Sequence, residues 1–122
     1  MKIYHFIFTT ILFLFAVSSL SAQDKDYYLK QAKKYNNEAD YHFRRAKDYQ
    51  DEAEYYNKKA QGYIKDAEYY SRKGDYNKAS TRQNWAKESI DKANTRMKWA
   101  KEAEENAKKH KQWANDALKK AK

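Results

Sequence analysis

The sequence predicts an all-α protein: an antiparallel helical hairpin of two long helices that share a coiled-coil-like alanine/tyrosine seam, following a cleaved signal peptide. Three observations carry this expectation. The chain has no proline and only two glycines, so almost nothing in it interrupts a helix. An alanine recurs every seven residues through most of the chain, with a tyrosine or histidine three residues after it in the first half. The phase of that recurrence slips once, at Gly74.

The first element is the leader. Lys2, the apolar run from Ile3 to Val17, and "SSLSA" ending at Ala22 read as the basic region, apolar region and small-residue cleavage site of a secretory signal. The run is shorter than the roughly 20 residues that span a bilayer, which argues against a retained anchor. The expected domains are therefore a signal peptide at 1–22 and a helical hairpin at 23–122. The "SAQ" junction resembles that of exported proteins of the Bacteroidota, a resemblance confined to the signal region that implies no activity. An exported chain without cysteine must hold together by packing alone, and it lacks the thiol of a lipoprotein anchor.

The second element is a helix expected over 24–73. From Tyr27 the chain repeats every 14 residues, as "YYLKQAKKYNNEAD", "YHFRRAKDYQDEAE" and "YYNKKAQGYIKDAE". Ala32, Ala39, Ala46, Ala53, Ala60 and Ala67 take the a positions of a heptad, and Tyr35, His42, Tyr49, Tyr56, Tyr63 and Tyr70 the d positions. An unbroken 3-4 spacing of this kind keeps one face of a helix against a partner.

The third element is a turn at Gly74 and Asp75. Ala67 and Ala79 are 12 residues apart, and a continuous helix has no reason to lose phase there. Glycine tolerates the left-handed conformation that ends a helix, and Asp75 can cap the next one. "YYSRKGDYNKA", residues 69–79, resembles the helix–turn–helix of the tetratricopeptide repeat, where a Gly-Asp-Tyr turn is followed by an alanine at the position of Ala79. That resemblance implies two helices folded back on each other. The helices here are longer than that family's, and its ligand-binding residues have no counterparts in this chain.

The last element is a helix over 76–122, with a 14-residue repeat counted from Trp85: "WAKESIDKANTRMK", "WAKEAEENAKKHKQ", "WANDALKKAK". Its alanines run from Ala79 through Ala86, Ala93, Ala100, Ala107 and Ala114 to Ala121. Pairing residues equidistant from the turn sets Tyr70 against Ala79, Tyr63 against Ala86, Tyr56 against Ala93 and Tyr49 against Ala100. Large against small is the arrangement that close packing requires.

Candidate binding residues follow from the same repeats. Trp85, Trp99 and Trp113 form a row that could meet a partner. They are in phase with Asp66, Glu52 and Glu38 on the first helix, so each indole N–H is expected to donate to a carboxylate. The alternative is an aromatic ladder for stacking on sugars, bases or a membrane interface. Tyr27, Tyr41, Tyr55 and Tyr69 edge the seam on one side, and Leu29, Phe43 and Ile64 on the other. Together they widen the apolar stripe beyond what one helix covers, which favours a protein partner or a homo-oligomer.

Without Lys2 the mature chain has 25 basic and 17 acidic residues, a net charge of +8. Lys108, Lys109, Lys111, Lys119 and Lys120 concentrate this charge near the end, where an anionic polymer or membrane surface could bind. His42 and His110 fall on the seam, but no third ligand has fixed spacing, so no metal is expected. There is no phosphate loop, cysteine nucleophile or turn-placed acid pair, and two helices offer no cleft for acid–base work.

The reading is a non-enzymatic, exported structural or protein-interaction module of the cell envelope or extracellular space, with no cofactor and no small-molecule substrate. The alternative is a basic module for an anionic envelope polymer, membrane surface or nucleic acid. The hairpin has a direct test in Tyr56→Cys combined with Ala93→Cys. These cysteines should close an intramolecular disulfide under mild oxidation, read as a shift on a non-reducing gel, whereas one straight helix would hold them about 55 Å apart.

Overall fold

The computed structural model describes residues 21–122, so the signal-peptide expectation lies almost wholly outside the described residues. Two helices account for nearly all of what is described: α1, Ala22–Arg72, and α2, Tyr76–Ala121. They pack against each other, and the fold is an all-α helical hairpin. Among the described residues no helix is long and apolar enough to cross a membrane.

Helix α1 begins at Ala22 because Ser21 caps it. Ser21 Oγ accepts the Asp24 N–H at 3.2 Å and donates to the Asp24 carboxylate at 2.7 Å. The helix ends in a Schellman arrangement: the Asp75 N–H reaches back to the Tyr70 carbonyl (2.9 Å) and the Gly74 N–H to that of Ser71 (3.1 Å). Gly74 has a φ of +77°, which L side chains rarely adopt. Asp75 then opens α2, its carboxylate accepting the Lys78 N–H at 3.2 Å.

By backbone proximity the chain divides into two compact units, one formed by the α1 residues through Asn37 with His110–Lys122, the other by Glu38–Lys109. The second contains the turn. Both are built on the same seam. Ala32 and Ala39 through Ala67 on α1, and Ala79 through Ala114 on α2, are each no more than 3% exposed at the expected seven-residue spacing. Among the described residues only Ala103, Ala117 and Ser89 are buried apart from these, and no large side chain is fully buried. The d-position tyrosines and His42 are half-buried.

The two glycines should respond oppositely to an added side chain, although neither has a neighbour within 4 Å of the Cβ it would gain. Gly74→Val should lose more than about 1 kcal/mol through its φ alone. Gly62→Ala, inside α1, should gain about 0.5–1 kcal/mol. Urea unfolding followed by helical ellipticity measures both.

Candidate functional site

The tryptophans meet α1 edge-on to its seam tyrosines. Ring centroids lie 5.6 Å apart for Tyr63 and Trp85, 5.6 Å for Tyr49 and Trp99, and 5.7 Å for Tyr35 and Trp113. All three interplanar angles are near 65°, the edge-to-face geometry that aromatic quadrupoles favour. Each contact recurs 14 residues further from the turn on both helices, so the repeat has become a register between them.

Three residues before each tryptophan stands a residue that packs on its indole. The Arg82 guanidinium lies 4.2 Å from the Trp85 centroid, that of Arg96 4.5 Å from Trp99, and the His110 ring 4.9 Å from Trp113. Sequence reasoning missed this set. The signal was present as "RQNW", "RMKW" and "HKQW", but a repeat frame opened at the tryptophan splits it across two units.

One of these contacts also corrects the expected pairing of an indole with a carboxylate, that of Trp99 with Glu52. Glu52, in phase with Trp99, is taken by Arg96, whose Nε stands 2.7 Å from Glu52 Oε2. The approach is that of an ion pair without the alignment of a hydrogen bond. A guanidinium is the stronger competitor for a carboxylate than a neutral indole N–H. Arg82 Nε is buried with no hydrogen-bond partner among the described residues, and its guanidinium lies between Trp85 and Tyr70.

The residues Arg82, Arg96 and His110 occupy alternate d positions of α2, and the d positions between them are small: Ser89, Ala103 and Ala117. Open clefts lie at two of the small layers. In the unit containing the chain end, a cleft of about 340 Å³ is lined by Tyr27, Tyr28, Tyr35 and Trp113 together with Gln31, Asp116 and Lys120. In the turn-containing unit, one of about 280 Å³ is floored by Tyr56, Tyr63 and Trp85 and rimmed by Lys59, Glu88 and Lys92. Apart from Tyr27, these are the same heptad positions two repeats apart. The sequence places His42, Arg45, Tyr49, Trp99, Glu102 and Asn106 at the repeat between them.

The tyrosines Tyr27, Tyr41, Tyr55 and Tyr69 are each more than half exposed, and each stacks edge-on against the seam aromatic that follows it in sequence. Cations cover several rings. Lys59 lies over Tyr55 at 5.0 Å, and Arg45 lies over Tyr49 at 4.8 Å while donating to its hydroxyl at 2.6 Å. Hydrogen bonding to Tyr49 raises the Arg45 pKa, and hydrogen bonding to Tyr55 raises that of Lys59, so both stay charged.

The other flank carries different chemistry. Gln50 donates to Glu104 at 3.0 Å and Lys111 to Asn36 at 3.1 Å, tying the e positions of the helices together in each unit. Beside them Leu29, Phe43, Ile64, Ile90, Met97 and Leu118 remain 38–52% exposed. The candidate lysines do not share one face. Lys108, Lys109, Lys111, Lys119 and Lys120 take the b, c, e, f and g heptad positions in turn, all exposed. Lys111 is engaged by Asn36, and Lys120 lies 5.8 Å from the Tyr28 ring centroid. Among the described residues no group of three or more His, Cys, Asp and Glu could hold a metal ion.

No family model, curated protein or solved structure matches this chain.

Removing one of the stacked cations should loosen the hairpin. Arg96→Ala forfeits the contacts with Trp99 and Glu52 and should cost about 1–2 kcal/mol. Lys98→Ala, exposed on the same helix, should stay within about 0.5 kcal/mol of the parent. Parallel denaturation curves decide.

Proposed function

We propose that this chain is a non-enzymatic structural or protein-interaction module, exported to the cell envelope or extracellular space, whose partner surface is the aliphatic flank. One observation carries the reading: the hairpin buries alanine and leaves its larger apolar side chains at the surface. Leu29, Phe43, Ile64, Ile90, Met97 and Leu118 all lie on that flank and are well exposed. Near the turn, Ile64 and Ala67 help line a hollow of about 530 Å³ bordered by Glu68, Ser71, Arg72 and Gln83. Rows of apolar groups with polar neighbours, beside a hollow able to receive a side chain, are what helical bundles use to associate. Export rests on the leader-like residues before Gln23.

A second copy of the chain is the simplest partner, since it brings the same row and the same hollow. Residues 23–122 should therefore associate as concentration rises in sedimentation velocity. Phe43→Glu together with Ile64→Glu should weaken association at least about tenfold while leaving helicity intact. A protein that stays monomeric across the micromolar range, with or without these changes, would show that the aliphatic flank is not an interface between copies.

A further inference from the structure

The opposite flank, with its repeated clefts, differs in chemistry from the aliphatic one and points to a different kind of ligand. Each observed cleft combines an indole and at least two phenol rings with one carboxylate and at least one amine. The carboxylates are Asp116 and Glu88, and Glu102 holds the same position in the repeat between them. A Glu or Asp four residues before a lysine on a helix ordinarily pairs with it. Here the lysines turn elsewhere: Lys92 lies 5.7 Å from the Tyr56 ring centroid and Lys120 5.8 Å from that of Tyr28. Among the described residues Glu88, Glu102 and Asp116 have no ion pair or hydrogen bond, so their acceptor oxygens are available beside the aromatic floors.

We propose that these clefts are subsites for a neutral polysaccharide, each taking a pyranose ring against the tryptophan and tyrosines while the carboxylate and the amine or amide bind its hydroxyls. The ligand class follows by matching chemistry. A pyranose has an apolar C–H face, slightly positive, that suits the negative face of an aromatic ring. Its hydroxyls donate and accept, so they can satisfy a carboxylate, which only accepts, and an ammonium, which only donates. A polyanion would bring a charge against the carboxylate in every cleft. An apolar helix would strip water from carboxylate and lysine without replacing it.

Repetition supports a polymer over a single sugar. Within the turn-containing unit the Tyr49–Trp99 and Tyr63–Trp85 pairs recur after 14 residues, about 21 Å along the helices. Subsites at a constant pitch let one chain engage several weak contacts, and the linked contacts multiply.

The test is tryptophan fluorescence of residues 23–122 titrated with laminarin, xylan and mannan as neutral probes and dextran sulfate as the anionic one. A neutral polymer should shift the emission and retain its affinity at high salt. Glu88→Gln, Glu102→Gln and Asp116→Asn together should weaken it at least about tenfold, with ellipticity unchanged. The same three changes remove negative charge, so they would strengthen binding of a polyanion. Failure of all three neutral polymers to bind, binding of dextran sulfate alone, or neutral binding unaffected by the triple substitution would each overturn the proposal. A triple variant that altered self-association in sedimentation without changing carbohydrate affinity would overturn it too, by assigning the clefts to a second copy. The aliphatic-flank variant Phe43→Glu with Ile64→Glu should retain carbohydrate binding, which separates this proposal from the interaction reading.

Discussion

Everything else in the hairpin depends on the alanine seam. A methyl group at each a position from Ala32 to Ala67 and from Ala79 to Ala114 lets the backbones approach closely, and among the described residues burial reaches completion only at alanines and Ser89. Larger residues must leave the seam sideways. Tyr28, Tyr35, Tyr49, Tyr56, Tyr63 and Tyr70 are therefore half-buried, and the tryptophans of α2 lean over the gap from its edge, 39–47% exposed. Close helix approach and an exposed aromatic flank are two results of one choice of residue.

The same constraint separates the two flanks. The e side carries short polar ties such as Gln50 to Glu104, and its aliphatic side chains are left in water. On the g side, α2 alternates a large d residue with a small one. Arg82, Arg96 and His110 fill their layers by packing on an indole, while Ser89 and Ala117 leave theirs open as clefts. The two arginines thus act as spacers as well as charges. An arginine stem covers apolar surface while its planar head stacks on a ring, which lysine does less well.

How much of this could be read from the residues depended on whether one helix or two set the pattern. The seam was readable because alanine spacing and the phase slip at Gly74 are each properties of one stretch of chain. The stacking of Arg82, Arg96 and His110 was equally local, three residues from each tryptophan, and escaped notice only through the choice of repeat frame. The pairing of indoles with Asp66, Glu52 and Glu38 failed at Glu52 for a physical reason: phase alone cannot tell which of two donors a carboxylate will take, and Arg96 outcompetes Trp99. The clefts were beyond sequence reasoning. Their linings join residues of both helices, such as Tyr35 with Trp113 and Asp116, and become neighbours only once the register is known.

A coiled seam needs a repeat of seven, yet this chain repeats every 14. Packing accounts for part of the doubling. An arginine layer and a serine or alanine layer must alternate if tryptophans are to fit at every second heptad. Tyr27, Tyr41, Tyr55 and Tyr69 share the period through their edge-on contacts with the seam aromatics, but packing does not account for Glu88, Glu102 and Asp116, which lie outside the seam and share it too. Residues in water owe nothing to the spacing of a core, and a solvated face is free to vary from one heptad to the next. The period thus extends outward from the packed layers to acids that no packed contact requires, and that extension is the feature on which the polysaccharide proposal rests.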